Sequence, residues 1–248
     1  MSTRLLLGRD HGHFGDVHQE TITEGVAAAI SAGSDPLSPA MQFKGDFSNE
    51  DGLLVVISGD HLGLAVADAH YGLQASHALL EALALSPDLT SIDTWLAGAV
   101  PPGDAPEDPS ETTLVVLILD RTTGRGQGVS FGDSSCVQVS AGHAAWKNHK
   151  DAQYLRSTDP LDAAAGQRFE VALNPGDLLL LFTDGINECH YRRPQKSVGL
   201  GDMAELYGKG PAPDPLVYAR RLTARALNGV NDHPGGQDNI ALIVVRQG

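Results

Sequence analysis

The apolar positions of this chain fall into short runs broken by polar turn residues, and the spacing within each run points to its element. Residues 53–58 and 62–67 are apolar stretches around Gly59-Asp60-His61, the pattern of a β-hairpin. Residues 112–119, 128–131 and 135–139 read as successive strands at hairpin spacing, and 168–173 and 178–183 as strands joined by Asn174-Pro175-Gly176-Asp177. A last strand is expected over 240–245. Elsewhere the period changes. Leu73, Ser76, Leu79, Leu80 and Leu83 share one face at 3/4 spacing, which predicts a helix over 72–85. Further helices are expected over 91–99, with Ser91 as N-cap, over 201–207 and over 215–227. Within residues 1–45, Leu5-Leu6-Leu7 suggests a short strand and 21–32 a helix, with Val26, Ala27 and Ile30 on one side. Residues 100–109 are a Pro-, Gly- and Asp-rich surface loop, and 147–167 an irregular excursion.

Hairpins come first, then helices, then more hairpins, helices and a final strand. The absence of an alternating strand–helix rhythm disfavours a parallel doubly wound sheet. The expected class is α+β, a four-layer α-β-β-α sandwich of two antiparallel sheets flanked by helices, with residues 1–248 as one domain.

Composition narrows the function classes. Lys plus Arg number 17 against 31 Asp plus Glu, a formal charge of -14, which argues against nucleic acid or an anionic membrane as partner. Hydrophobic residues make up 42% but aromatics only 5%, so the core must be built from Leu, Val, Ile and Ala. Cys136 and Cys189 form neither a disulfide framework nor a spaced metal motif, and are expected as buried thiols in a reducing, cytoplasmic setting. The run at 5–7 is too short for a signal sequence, and no run approaches the ~20 apolar residues of a membrane span. There is no P-loop and no G-x-G-x-x-G after a strand. His11, His13 and His18 lack zinc-type spacing and are read as surface residues, as is the basic pair Arg192-Arg193.

The chemistry-bearing signal is acidic. Asp51, Asp68, Asp184 and Asp238 each lie at or beside the end of a strand-like run. Asp51 and Asp68 flank the 53–67 hairpin, so antiparallel pairing brings them side by side. Bare carboxylates at the ends of buried strands repel one another unless a cation sits among them, and hard divalent ions prefer oxygen ligands. Such a cluster points to Mg²⁺ or Mn²⁺ and to hydrolysis of a phosphate ester.

The order Asn49-Glu50-Asp51, Asp68-Ala69-His70-Tyr71-Gly72, Gly132-Asp133-Ser134, Thr183-Asp184-Gly185-Ile186-Asn187-Glu188 and Gly236-Gln237-Asp238-Asn239 resembles the metal-dependent protein serine/threonine phosphatases of type 2C, the PPM family. The stretch from Asn174 through Gly185, with Glu188, is most similar to the bacterial branch that includes the stage II sporulation phosphatase E. The resemblance implies a binuclear Mn²⁺ or Mg²⁺ centre, a metal-activated water and a phosphorylated Ser/Thr protein as substrate. It makes Asp68 the bridging carboxylate, with Asp184 and Asp238 on the first metal. Glu50 and the backbone carbonyl of Ala69 fall on the second, directly or through water. Asp51 orients water, Asp133 marks a third, weaker metal position, His70 is a general acid, and Glu188 lies near the first metal. Two positions depart from the pattern: Asp46 stands where the family often has a phosphate-holding arginine, with Lys44 nearby, and Ala69 replaces a usual glycine. These departures keep an alternative open, a phosphatase fold that binds a phosphoprotein or regulator with little or no hydrolysis. A third reading is a metal-dependent phosphohydrolase acting on a small molecule.

Overall fold

The computed structural model describes residues 1–44, 48–99, 109–159 and 161–248. The N-terminal segment supplies β1 (Ser2–Leu7), β2 (His18–Thr23) and β3 (Val26–Ser31). The expected hairpin is β4 (Gly52–Ser58) and β5 (His61–Ala67), followed by β6 (Ala69–His70) and helices α1 (Gln74–Leu85) and α2 (Ile92–Gly98). Next come β7 (Glu111–Thr112), β8 (Leu114–Asp120), β9 (Arg125–Phe131), β10 (Ser135–Ser140) and β11 (His143–Trp146). The chain continues through β12 (Leu155–Arg156), β13 (Gln167–Ala172), β14 (Leu178–Phe182), α3 (Leu200–Tyr207), α4 (Pro215–Asn228) and β15 (Ile240–Arg246).

One six-stranded sheet has the order β1-β4-β5-β8-β9-β13, the other β11-β10-β14-β15-β3-β2, and every neighbouring pair is antiparallel. A small third sheet, β12-β7-β6, lies after β5 in the chain path. Strand periodicity sorts the residues into layers. Leu53, Val55, Leu64 and Leu117 face Leu179, Leu181 and Ile243 between the two sheets. Their neighbours Leu54, Val56, Ala65 and Val116 turn outward onto Leu79, Leu83 and Trp95 of α1 and α2. On the other side Leu180, Leu242 and Val244 pack on Met203, Tyr218 and Leu222 of α3 and α4. The result is the expected α-β-β-α sandwich. Because the central strands are covered on both faces, they are written as continuous apolar runs rather than alternating ones.

The helix expected over 21–32 is instead the hairpin of β2 and β3. Gly25 turns the chain at φ +76°, and β3 slots between β2 and β15, with Ala28 opposite Ile243. Val26, Ala28 and Ile30 enter the inter-sheet core while Ala29 faces α4. Alanine's helix propensity is a weak prior, and pairing on both edges overrides it. The strand-like runs 168–173 and 178–183 do form, but in different sheets: Asn174–Asp177 carries the chain across, so β13 is an edge and β14 is central. Strands β11 and β12 were not expected. Of the anticipated 100–109 loop, residues 100–108 lie outside the described residues. Cys136 and Cys189 are buried free thiols. Among the described residues no helix is long and apolar enough to cross a membrane.

This layering predicts unequal costs for equal truncations. Leu64→Ala, at a site with 0% exposure, should lower unfolding free energy by about 2–5 kcal/mol in urea titrations, whereas Leu85→Ala, at 84% exposure, should change it by ~0.5 kcal/mol or less. Similar values for the two would contradict the assignment of the inter-sheet core.

Candidate metal centre

Strand register delivers the acidic residues to one place. The β4–β5 ladder ends at Gly52 opposite Ala67, so Asp51 and Asp68 leave its open end together. On the facing sheet, the β14–β15 ladder ends at Phe182 opposite Leu242, with Asp184 just beyond β14 and Asp238 just before β15. All four are buried. Asp51 and Asp184 each feel the charge of Asp68. The two sheets therefore contribute a pair of carboxylates each to one end of the sandwich.

Polar neighbours hold these backbones in place. Thr183 Oγ1 donates to Asp51 Oδ2 at 2.6 Å and accepts the Ala241 N–H at 2.8 Å, linking the two sheets. The Asp68 N–H donates to Thr113 Oγ1 at 3.1 Å, and its carbonyl accepts from Thr112 Oγ1 at 2.8 Å. Asn239 Oδ1 accepts the Glu50 N–H at 3.0 Å while its Nδ2 donates to Ser48 O at 2.7 Å. The start of α1 grips the same segment: Ser76 Oγ donates to Glu50 O at 2.5 Å, and His77 Nε2 donates to Asp51 O at 3.3 Å. Gly185 is required by proximity, because a Cβ there would sit 1.8 Å from Asn239 O. None of Thr183, Asn239, Thr113 or His77 was singled out in the sequence. The first two adjoin Asp184 and Asp238, so a polar residue flanking each strand-end Asp was the available signal.

The least expected occupant is Lys44. Its side chain is 4% exposed, and its ammonium lies 3.4 Å from Asp68 Oδ1, 3.3 Å from Asp238 Oδ1 and 3.4 Å from the Ala69 carbonyl. Burial alone would lower the Lys44 pKa, but the surrounding carboxylates, Asp238 foremost, raise it well above its ordinary value. Burial, the largest single influence, pushes the Asp68 carboxyl up, and the Lys44 charge together with its other neighbours, His70 next, outweighs this to hold it at about 2. Asp51 and Asp184 are driven well above the usual carboxylate range, by burial first and then by Asp68. Asp238 is raised by burial despite Lys44. One ammonium thus secures one carboxylate and leaves the others with a shortfall of positive charge.

The remaining expected residues divide. The Ala69 carbonyl accepts from the Lys44 ammonium. Glu50 is buried, with its backbone fixed to Asn239 and Ser76. Asp133 is raised by burial and then by Asp68, and Tyr154 Oη donates to its Oδ2 at 3.4 Å. His70 is half-buried, its ring edge-on to Tyr154 at 5.6 Å. Glu188 is ion-paired with Lys150 at 2.6 Å. Asp46 lies outside the described residues. Among the described residues, no three His, Cys, Asp or Glu side chains are grouped so as to hold a metal ion as they stand. The donor chemistry nevertheless fits a hard divalent cation. Asp51 Oδ1, Asp133 Oδ1 and Asp184 Oδ1 are buried and make no hydrogen bond, and carboxylate and carbonyl oxygens are the ligands such ions take.

Two outcomes follow from this geometry. Gly185→Ala should force the 184–185 and 238–239 segments apart and lower the melting temperature by several degrees in calorimetry; an unchanged melting temperature would contradict the close approach. His77 is buried with a bare Nδ1 and a pKa lowered by burial from 6.5 to about 4. The unfolded chain therefore binds more protons between these values, so the contribution of neutral His77 is complete above pH 6.5 and is lost as pH falls toward 4. His77→Gln should remove up to about 3 kcal/mol of that acid-side loss in urea unfolding measured from pH 7 to 4. An unchanged slope would contradict it.

The family model for stage II sporulation protein E (SpoIIE) matches residues 50–248. No curated protein matches the chain significantly. Among solved structures, the PPM Ser-Thr phosphatase MsPP from Mycobacterium smegmatis, in complex with cacodylate, is similar at TM-score 0.64 and 21% identity, covering 90% of this chain and 98% of its own. The catalytic domain of the serine threonine protein phosphatase PstP, in complex with 2 manganese ions, is similar at TM-score 0.62 and 19% identity, covering 93% and 99%. RsbX in complex with magnesium is similar at TM-score 0.57 and 14% identity, covering 94% and 100%. At these identities the structures speak to the fold, which they share from end to end. With the family match spanning most of the sequence and both sheets in place, this chain belongs to the stage II sporulation protein E family and has the fold of the PPM phosphatases.

Proposed function

We propose that this chain is a metal-dependent phosphatase that hydrolyses phosphoserine and phosphothreonine in a protein substrate. In this reading Asp68, Asp184 and Asp238 would hold one divalent cation, and Asp68, Glu50 and the Ala69 carbonyl would hold a second. Asp133 marks a third, weaker position. The observation that carries the reading is the convergence of Asp51, Asp68, Asp184 and Asp238, from both sheets, into one buried cluster with unpartnered oxygens on Asp51 and Asp184. Manganese in PstP and magnesium in RsbX support the choice of ion.

Bound Mn²⁺ or Mg²⁺ would supply the Lewis acidity that makes water nucleophilic near neutral pH and offsets charge on the phosphoryl oxygens. The chain's own groups do the rest. Asp51 is fixed through Oδ2 by Thr183, which leaves Oδ1 to orient a water. His70 stands at the rim beside Asp68, half-buried and with Nδ1 unpartnered, where it can hand a proton to the departing serine or threonine oxygen. Burial of the cluster strengthens each of these interactions. Because β1 and β3 place the N-terminal segment inside both sheets, the reading treats residues 1–248 as one catalytic unit, working in the cytoplasm.

Lys44 favours a second reading, a fold that binds a phosphoprotein without hydrolysing it, since an ammonium already satisfies part of the cluster. Turnover separates the two. With Mn²⁺ added, the chain should hydrolyse p-nitrophenyl phosphate and a phosphoserine peptide, and Asp184→Asn and Asp238→Asn should each lower kcat by ~100-fold or more. Activity no higher than that of these variants would overturn the enzymatic reading.

A further inference from the structure

Among the described residues, the Lys44 ammonium contacts three oxygens assigned above to divalent cations: Asp68 Oδ1, Asp238 Oδ1 and the Ala69 carbonyl. The distances, 3.3 to 3.4 Å, are longer than the ~2.8 Å of a charge-assisted hydrogen bond. The ammonium is centred in the cluster as a point charge rather than seated on one partner. The segment that leads to Lys44, residues 34–38, is tied to the loop that carries Asp238. The Ser34 and Asp35 N–H groups donate to Gly236 O at 2.8 and 3.0 Å, and Ser38 Oγ donates to Gln237 O. A short 3-10 turn, Pro39–Phe43, then delivers Lys44 to the site.

We propose that Lys44 is a tethered resident cation that a divalent ion must displace, so that metal loading and withdrawal of the Lys44 side chain are one event. The proposal rests on the metal reading given above and adds a regulator to it. Ammonium and metal need the same lone pairs and repel each other in the same cleft. Without metal, the ammonium keeps buried carboxylates from facing one another uncompensated. With metal it is released, and the apparent affinity for the ion is weakened by the cost of ejecting it. The device lets the fold survive metal-free and sets the metal concentration at which the site switches on.

The test uses the unaltered protein. Brief acetylation with acetic anhydride, read by peptide mass spectrometry, should leave Lys44 nearly unlabelled without metal. Its labelling should rise by ~10-fold or more as Mn²⁺ is titrated, with the same midpoint as calorimetric binding and with the other lysines flat. Lys44→Met should bind Mn²⁺ about 10-fold more tightly or better in the same calorimeter. Mn²⁺ binding that leaves Lys44 protected, or a Lys44→Met protein with unchanged or weaker affinity, would overturn the tethered cation while leaving the metal site standing. An absence of Mn²⁺ binding in both proteins would overturn the metal site itself, and the tethered cation with it.

Discussion

Carboxylates withdrawn from water cannot all remain charged beside one another without a cation among them. Two like charges ~4 Å apart repel by about 4 kcal/mol even at an effective dielectric of ~20, and desolvation adds to this. Asp51, Asp68, Asp184 and Asp238 face that constraint together, and only Asp68 falls below the usual carboxylate range, because the Lys44 charge and its other neighbours together outweigh its burial. The site is therefore held short of positive charge by design of the fold. A pair of divalent ions would match its formal negative charge, and a single ammonium does not.

The two-sheet architecture makes this arrangement possible. A single hairpin brings Asp51 and Asp68 together, but the second pair must come from a different sheet, after a crossover between β13 and β14 and a return through α3 and α4. The inter-sheet core fixes the distance between the pairs, while Thr183 and Asn239 bind the two halves directly across the site. Stability and chemistry are thus coupled: the contacts that register the sheets also aim the carboxylates.

Much of this was legible in the sequence, for identifiable reasons. Apolar runs as long as 53–58 and 240–245 can only be strands or buried helix fragments, and their turn residues decided the matter; the four-layer class followed from element order. The position of Asp51 beside Asp68 followed from hairpin closure alone. What was not legible depended on pairing between distant segments. Val26–Ser31 reads as a helix because Ala-rich stretches favour one locally, and pairing with β2 on one edge and with β15, more than two hundred residues away, on the other makes it a strand. Lys44 stood out in the sequence only as a basic residue near Asp46. Its burial depends on a strap docking onto Gly236–Asp238, a contact without local periodicity. Thr183 and Asn239 were hidden in the same way, as small polar neighbours of more conspicuous aspartates.

The central claim is that cations, not internal basic groups alone, complete the cluster. Crystals grown with Mn²⁺ and measured at the manganese absorption edge test it directly. The account predicts anomalous peaks bonded to Asp68, Asp184 and Asp238, with the Lys44 ammonium no longer between Asp68 and Asp238. A manganese-soaked crystal with no peak there, and Lys44 still in contact with both carboxylates, would contradict it.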